Sequence, residues 1–188
     1  MLRAHPAAAQ VVFVSLFSVA NASGRLLFGY ISERCLHSHG TRRTLFLLLI
    51  SAMMTAFAAC MCFAELPDLY AMALLGGVAF GGHWAVIPSV LADLFGLLHF
   101  ASIYTMLQFA PAAGAYLLGT VLVGTLYEAA KAVDGGSASG WCIGWSCYGT
   151  TWMVLTGLNV LSLIGQRILW QTTSSAYDSM HSKQRPHS

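Results

Sequence analysis

The most informative segment of this chain reads Asn21-Ala-Ser-Gly24-Arg25-Leu-Leu-Phe-Gly29-Tyr-Ile-Ser-Glu33-Arg34, followed by Gly40-Thr-Arg42-Arg43. It begins as an apolar helix that carries one arginine, and it continues into an acidic and then basic loop before the next apolar helix. A charged side chain at bilayer depth is costly, so such residues occur mainly where they face a bundle interior or a water-filled path. Arg25 therefore indicates the inner face of a membrane-spanning bundle.

The composition of the whole chain indicates the same class of protein. Of its 188 residues, 57% are hydrophobic and 9% are charged, whereas soluble domains carry about 25% charged residues. The net charge of +2 is small and scattered, which argues against a nucleic-acid partner. We therefore predict an integral, multi-pass membrane protein with the lipid bilayer as its surroundings. No nucleophile–base pair, phosphate-binding loop or paired carboxylates suggest an enzyme, and no cofactor or metal is predicted.

Five apolar segments are long enough to cross a bilayer, which takes roughly 20 residues of helix. They cover residues 11–31, 44–64, 69–94, 100–127 and 149–170. The predicted fold is therefore an all-α membrane protein with five transmembrane helices. Residues 1–10 are expected to form a short N-terminal segment, and the Ser-rich residues 171–188 a disordered tail. A signal peptide is disfavoured because the first apolar run continues without a break to Ile31.

The positive charges predict the orientation of these spans in the membrane. Segments on one side contain two basic residues, Arg3 and Lys131, and segments on the other side contain six, namely Arg34, Arg42, Arg43, Arg167, Lys183 and Arg185. Loops rich in Lys and Arg stay in the cytoplasm. This places the loop 32–43 and the C-terminal tail in the cytoplasm and residues 1–10 outside.

The motifs in their order resemble one transporter superfamily. The loop pattern Gly29-x3-Glu33-Arg34…Gly40-x-Arg42-Arg43 resembles the motif between the eighth and ninth helices of the major facilitator superfamily, although Glu33 stands where aspartate is commonest and residues 35–39 lengthen the loop. Residues 92–104 and 111–116 look like the tenth-to-eleventh helix region of its nodulin-like branch. Cys142-Ile-Gly-Trp-Ser-Cys147 in an external loop also resembles that branch, which is similar to the monocarboxylate transporters.

The resemblance implies both a fold and an activity. Residues 11–170 would form the C-terminal transmembrane bundle of such a transporter, with five spans corresponding to helices eight to twelve of twelve. Helices one to seven, the N-terminal half, would be missing, so this chain would be a fragment. The implied activity is alternating-access transport of a small organic anion such as a monocarboxylate. The alternative is a non-transporting half-bundle that acts as a regulatory or assembly partner.

Four residues are candidates for contact with the solute: Arg25, Asn21, His83 and Gln108. The guanidinium of Arg25 can bind a carboxylate bidentately, and Arg25-x3-Gly29 is similar to the pattern of the substrate-linked arginine in monocarboxylate transporters. Asn21 stands one turn earlier, where some of them have an aspartate, so a proton-carrying carboxylate is absent here. For Arg25, snorkelling or structural pairing with another helix stays open.

The other two candidates also have structural alternatives. His83 follows a run of glycines within the third span, where it could bind an anion, relay protons or hydrogen-bond a neighbouring helix. Gln108 lies three residues before Pro111. A proline kink at that point could open a cavity wall or serve packing alone.

Charged residues at the predicted cytoplasmic side form a candidate gating cluster, composed of Glu33, Arg34, Arg42 and Arg43. Such a cluster could latch helices together in one transport state, and the alternative is a solvated basic loop. Asp93 is expected to cap the next helix or to pair with a loop arginine. On the external side, Cys142 and Cys147 are candidates for a disulfide.

Overall fold

The structure is a computed structural model that describes residues 6–65, 67–133 and 145–173. Within these ranges the chain forms helices and no strands, which confirms the all-α class for this part of the protein. Helix α1 comprises Pro6–His39, α2 Arg43–Met61 and α3 Asp68–Gly114; a π-helical segment, Ala115–Leu122, then leads into α4, Val123–Val133, and α5 comprises Trp145–Thr172. Most of the predicted tail, beyond residue 173, lies outside the described residues.

Four helical stretches of the described residues are long and apolar enough to cross a membrane: Gln10–Ser38, Arg43–Met61, Asp68–Ala130 and Tyr148–Thr172. The count of five is therefore not matched, because the predicted spans 69–94 and 100–127 fall within one stretch of 63 residues. A straight helix of that length would measure about 95 Å, roughly three times the 30 Å hydrocarbon core of a bilayer.

Gly96 interrupts this long stretch. Its φ of 71° and ψ of 168° are not helical, and they fall in a region of backbone space that essentially only glycine occupies. We call residues 68–95 the first arm of α3 and residues 97–114 the second arm. Side chains of both arms, including Phe80 and Pro111, line one cavity. The arms therefore face each other across the break at Gly96.

The predicted loop 32–43 is mostly helical, because α1 continues to His39. Two side-chain pairs with helical spacing lie along this continuation: Arg34 Nη1 donates to Tyr30 Oη at 2.8 Å, and His37 Nε2 lies 2.8 Å from Glu33 Oε1. Such pairs support a helix. The prediction of a loop from residue 32 was wrong, and the connection to α2 consists of residues 40–42.

The first arm of α3 lies at the centre of the packing. Helix α1 packs against it along one side, and α2 packs between it and α5. Gly81 contacts α1 so closely that a Cβ at this position would overlap the backbone of Asn21. Small residues allow such close approach of membrane helices. Between α2 and the first arm lies the apolar core, made of Phe46, Leu47, Ile50, Ala79, Val86 and Val90.

The outer surface of the bundle is apolar. Leu98 is 88% exposed and Phe109 is 73% exposed, and both belong to the second arm of α3. In the candidate span at Tyr148–Thr172, none of the most apolar 18-residue window is buried. Such a surface is compatible with lipid, because the apolar side chains contact an apolar medium and the backbone groups form their hydrogen bonds within the helices.

Candidate functional site

Arg25 and Asn21 form a hydrogen-bonded pair on α1. The Nε of Arg25 donates to Asn21 Oδ1 at 3.3 Å, one helical turn away. Arg25 lies near the middle of the candidate span Gln10–Ser38, and its side chain is exposed. Its two terminal nitrogens make no hydrogen bond or ion pair to any described residue. The planar end of the guanidinium is therefore available to another group.

The contacts between α1 and α3 define the depth at which Arg25 lies. Asn21 contacts Gly81, and a Cβ on Gly29 would lie 3.9 Å from Ala85. Because these contacts advance in the same direction along both helices, α1 and the first arm run parallel. Arg25, between Asn21 and Gly29, therefore lies at about the level of His83 on the neighbouring helix.

His83 is linked to a neighbouring helix by a hydrogen bond. Its Nε2 lies 3.2 Å from Ser51 Oγ on α2. One of the three possibilities from the sequence, a hydrogen bond to a neighbouring helix, is therefore present.

A cavity of about 380 Å³ lies between the two arms of α3. The first arm contributes Phe80, His83, Trp84 and Ile87, and the second arm contributes Tyr104, Leu107, Gln108, Ala110 and Pro111. Two of the predicted solute residues, His83 and Gln108, thus line the same cavity. Gln108 makes no hydrogen bond within the described residues.

The aromatic lining was missed by the sequence analysis, although a signal for it exists. In each arm four lining residues follow the spacing i, i+3, i+4 and i+7, which places them on one helical face. They are Phe80, His83, Trp84 and Ile87 in the first arm and Tyr104, Leu107, Gln108 and Pro111 in the second. The two patterns lie on either side of Gly96. If a hairpin at Gly96 is assumed, the two helical faces are expected to meet.

A buried ion network joins the ends of three helices. Arg43, the first residue of α2, donates from Nη2 to Glu33 Oε2 on α1 and from Nη1 to Asp93 Oδ1 at 3.1 Å on the first arm of α3. Nη1 also contacts the carbonyl of Ser89 at 3.4 Å. The side chain of Arg43 is 10% exposed, compared with 20% for Asp93 and 53% for Glu33. Asp93 lies in the last turn of its arm, where the helix dipole disfavours a carboxylate, and Arg43 compensates for this.

The four predicted gating residues separate into two groups in the structure. Glu33 and Arg43 are paired, and Asp93 completes their network. Arg34 instead bonds Tyr30, and the guanidinium of Arg42 lies 6.0 Å from the centre of the Trp170 ring. The predicted disulfide involves Cys142 and the side chain of Cys147, which lie outside the described residues.

Sequence comparison links the chain to two fungal proteins. It is 28% identical over 151 residues to the Yarrowia lipolytica protein named "Probable transporter MCH1", a match that covers 77% of this chain and 31% of that protein. It is 29% identical over 96 residues to "Probable transporter mch1" of Aspergillus fumigatus, covering 50% of this chain and 15% of that protein. The chain is similar to transporters. No family model matches it, and no solved structure matches it significantly.

The similarity to transporter-named proteins and the long apolar helices indicate the same class of protein. The protein is an integral, multi-pass membrane protein, and its relatives support a transport function in general terms. The matched segments cover less than a third of the length of either relative.

Proposed function

We propose that this chain is the C-terminal part of a major facilitator transporter of the nodulin-like branch, and that it takes part in moving a small organic anion such as a monocarboxylate. The transporter-named relatives support the general activity, and the small share of their length that the chain covers supports its being a fragment. The loop motif at Gly29–Arg43 supports the superfamily. Alternating access by two halves would then require the N-terminal half.

We further propose that α3 crosses the membrane twice. The non-helical backbone of Gly96 and the cavity shared by the two arms favour a hairpin, with the predicted spans 69–94 and 100–127 as separate crossings. The part of the chain from Gln10 to Thr172 would then contain five crossings, equivalent to helices eight to twelve of the superfamily.

Arg25 carries the proposal of an anion as solute. An exposed arginine near the middle of a span is costly in lipid, so it is expected to face a water-filled path. Asn21 holds one side of the guanidinium through Nε. The two terminal nitrogens then present a fork that matches a carboxylate. Asn21 is then a positioning residue. His83 belongs to the wall of the cavity in α3 at about the same depth as Arg25.

The ion network is proposed as part of the gate. Arg43 connects the ends of α1, α2 and the first arm of α3, so these helices would move as one body when the transporter changes state. Arg34 and Arg42, on the same predicted cytoplasmic side, are proposed to complete this gating cluster with Glu33 and Arg43.

Uptake measurements on the native-length protein test the anion site. In cells without their own carriers for acetate and lactate, we expect Arg25→Gln to lower radiolabelled acetate or lactate uptake at least tenfold, which corresponds to about 1.4 kcal/mol. Arg25→Lys should also impair uptake, because an ammonium group cannot reproduce the fork. Arg167→Gln is the matched control, since this exposed arginine of α5 makes no polar contact within the described residues. Full uptake by Arg25→Gln would refute the role of Arg25.

An immunoblot against residues 177–188 tests the fragment proposal separately. A band of more than twice the 20.1 kDa of this chain would support a longer transporter. A band near 20.1 kDa would instead favour the half-bundle that acts as a regulatory or assembly partner.

A further inference from the structure

The cavity between the two arms of α3 has an aromatic and largely apolar lining. We propose that it binds the aromatic ring of the solute, so that the transported anion is an aromatic monocarboxylate of the arylacetate type. The placement of its carboxylate at Arg25 rests on the proposed function, whereas the ring site rests on the cavity alone.

The shape and size of the cavity fit a ring. Phe80, Trp84 and Tyr104 present aromatic surfaces to it, and Pro111 closes the wall of the second arm. Phe80 and Trp84 pack edge to face, with ring centres 6.1 Å apart, and a further ring adds favourably to such an arrangement. The volume of about 380 Å³ lies within the range of small-molecule sites. A two-carbon acid would leave most of this space unfilled.

The polar groups of the cavity are few, which limits the ligand to a largely apolar group. The Nε2 of His83 is used by Ser51. The other polar groups of the lining are the amide of Gln108, the hydroxyl of Tyr104 and the Nε1 of Trp84, and none of them makes a hydrogen bond within the described residues. A solute with several polar groups would lose hydrogen bonds to water here without replacement. A ring with one hydrogen-bond donor or acceptor near Gln108 would replace the hydrogen bond that it loses to water.

The cavity also adjoins the helix face that carries Arg25. Phe17 of α1 contacts Phe80 in the cavity wall, with ring centres 6.0 Å apart. Phe17, Asn21 and Arg25 follow each other at intervals of four residues, which places them along one stripe of α1. The cavity wall therefore borders the stripe on which Arg25 lies, and in this proposal the carboxylate of a bound ring points towards that stripe.

Filling the cavity tests this inference. Ala110 lines the cavity, so Ala110→Leu would occupy part of the space for the ring. Ala113→Leu is the matched control, because Ala113 is exposed and is not among the lining residues. The measurements are equilibrium binding of radiolabelled phenylacetate to the native-length protein in nanodiscs, competition by neutral phenylacetamide, and cellular uptake of phenylacetate and acetate.

We expect Ala110→Leu to weaken phenylacetate binding at least tenfold, to shift uptake selectivity by a similar factor towards acetate, and to abolish competition by phenylacetamide. Ala113→Leu should match the unsubstituted protein in all three. Unchanged phenylacetate affinity in Ala110→Leu, or an equal loss for phenylacetate and acetate, would overturn the ring site.

The outcomes separate this inference from the proposed function. If acetate uptake depends on Arg25 but phenylacetate neither binds nor competes, the ring site alone is refuted. If Arg25→Gln leaves uptake intact while phenylacetamide competition is lost in Ala110→Leu, the anion role of Arg25 is refuted and the ring site is supported.

Discussion

Replacing Arg43 with methionine tests the energetic importance of the ion network. Methionine keeps a long, flexible apolar side chain at the position but removes the charge and the three polar contacts to Glu33, Asp93 and the carbonyl of Ser89. Asp93, which is 20% exposed, would then be a largely buried carboxylate without its arginine. We expect Arg43→Met to destabilise the bundle strongly.

The magnitude follows from the burial of each partner. Removing one member of a fully buried ion pair costs about 3–5 kcal/mol. Glu33 is 53% exposed and can be hydrated again when Arg43 is removed, so its lost ion pair adds little to the cost in unfolding free energy. We therefore expect a cost of about 2–3 kcal/mol, most of it from Asp93. For a chain of this length that corresponds to a fall in melting temperature of about 4–12 °C.

Thermal unfolding of the detergent-purified protein, followed by size-exclusion fluorescence, measures this change. Arg42→Gln is the control. Within the described residues the guanidinium of Arg42 lies over the Trp170 ring and makes no polar contact, so its loss should cost less than about 1 kcal/mol. Adding Asp93→Asn to Arg43→Met should restore part of the lost stability, since the largely buried negative charge that Arg43 compensated is then removed. Equal melting temperatures for Arg43→Met and Arg42→Gln would mean that the ion network does not stabilise the bundle.

Three smaller predictions concern packing and backbone. Gly81→Ala should lower the melting temperature and weaken association of α1 with α3, because its Cβ would overlap Asn21; Gly157→Ala, with open space around it, should leave the melting temperature unchanged or raise it. Gly96→Ala should cost about 1–3 kcal/mol in unfolding free energy from the glycine-specific backbone conformation alone, since nothing lies within 4 Å of its Cβ position; an unchanged melting temperature would contradict this. Ser51→Ala should cost about 1 kcal/mol through loss of the hydrogen bond to His83, and equal stability would mean that the bond is not formed.

Several features of the site were accessible from the sequence because they depend on local pattern. Arg25 stands alone in an apolar run, and its partner Asn21 lies one helical turn away, so helix geometry alone brings them together. The possibility that Asp93 pairs with a basic residue could also be stated, since a carboxylate at a span end needs compensation. Which arginine would pair with Asp93 could not be predicted from the sequence.

Comparison of Arg42 with Arg43 shows why the partner of Asp93 could not be predicted. The two residues are chemically identical and adjacent, yet Arg43 is buried among carboxylates and Arg42 lies over an aromatic ring. The phase of α2 decides between them, and that phase depends on how its apolar face packs against α3 and α5. Similarly, the basic loop expected at residue 32 begins only at residue 40, because tertiary contacts of Glu33 with Arg43 and helical pairs along α1 outweigh its polarity.

The all-α membrane class could be predicted from the sequence, because the lengths of apolar runs and the scarcity of charge are properties of the chain that need no partner. The position of Arg25 within an apolar run could be read from the sequence as well. The pairing of distant residues depends on the packed bundle: Asp93 with Arg43, Ser51 with His83, and the two arms of α3 around one cavity. Those contacts depend on the relative rotation and depth of packed helices, which interlocking side chains and close glycine contacts set jointly.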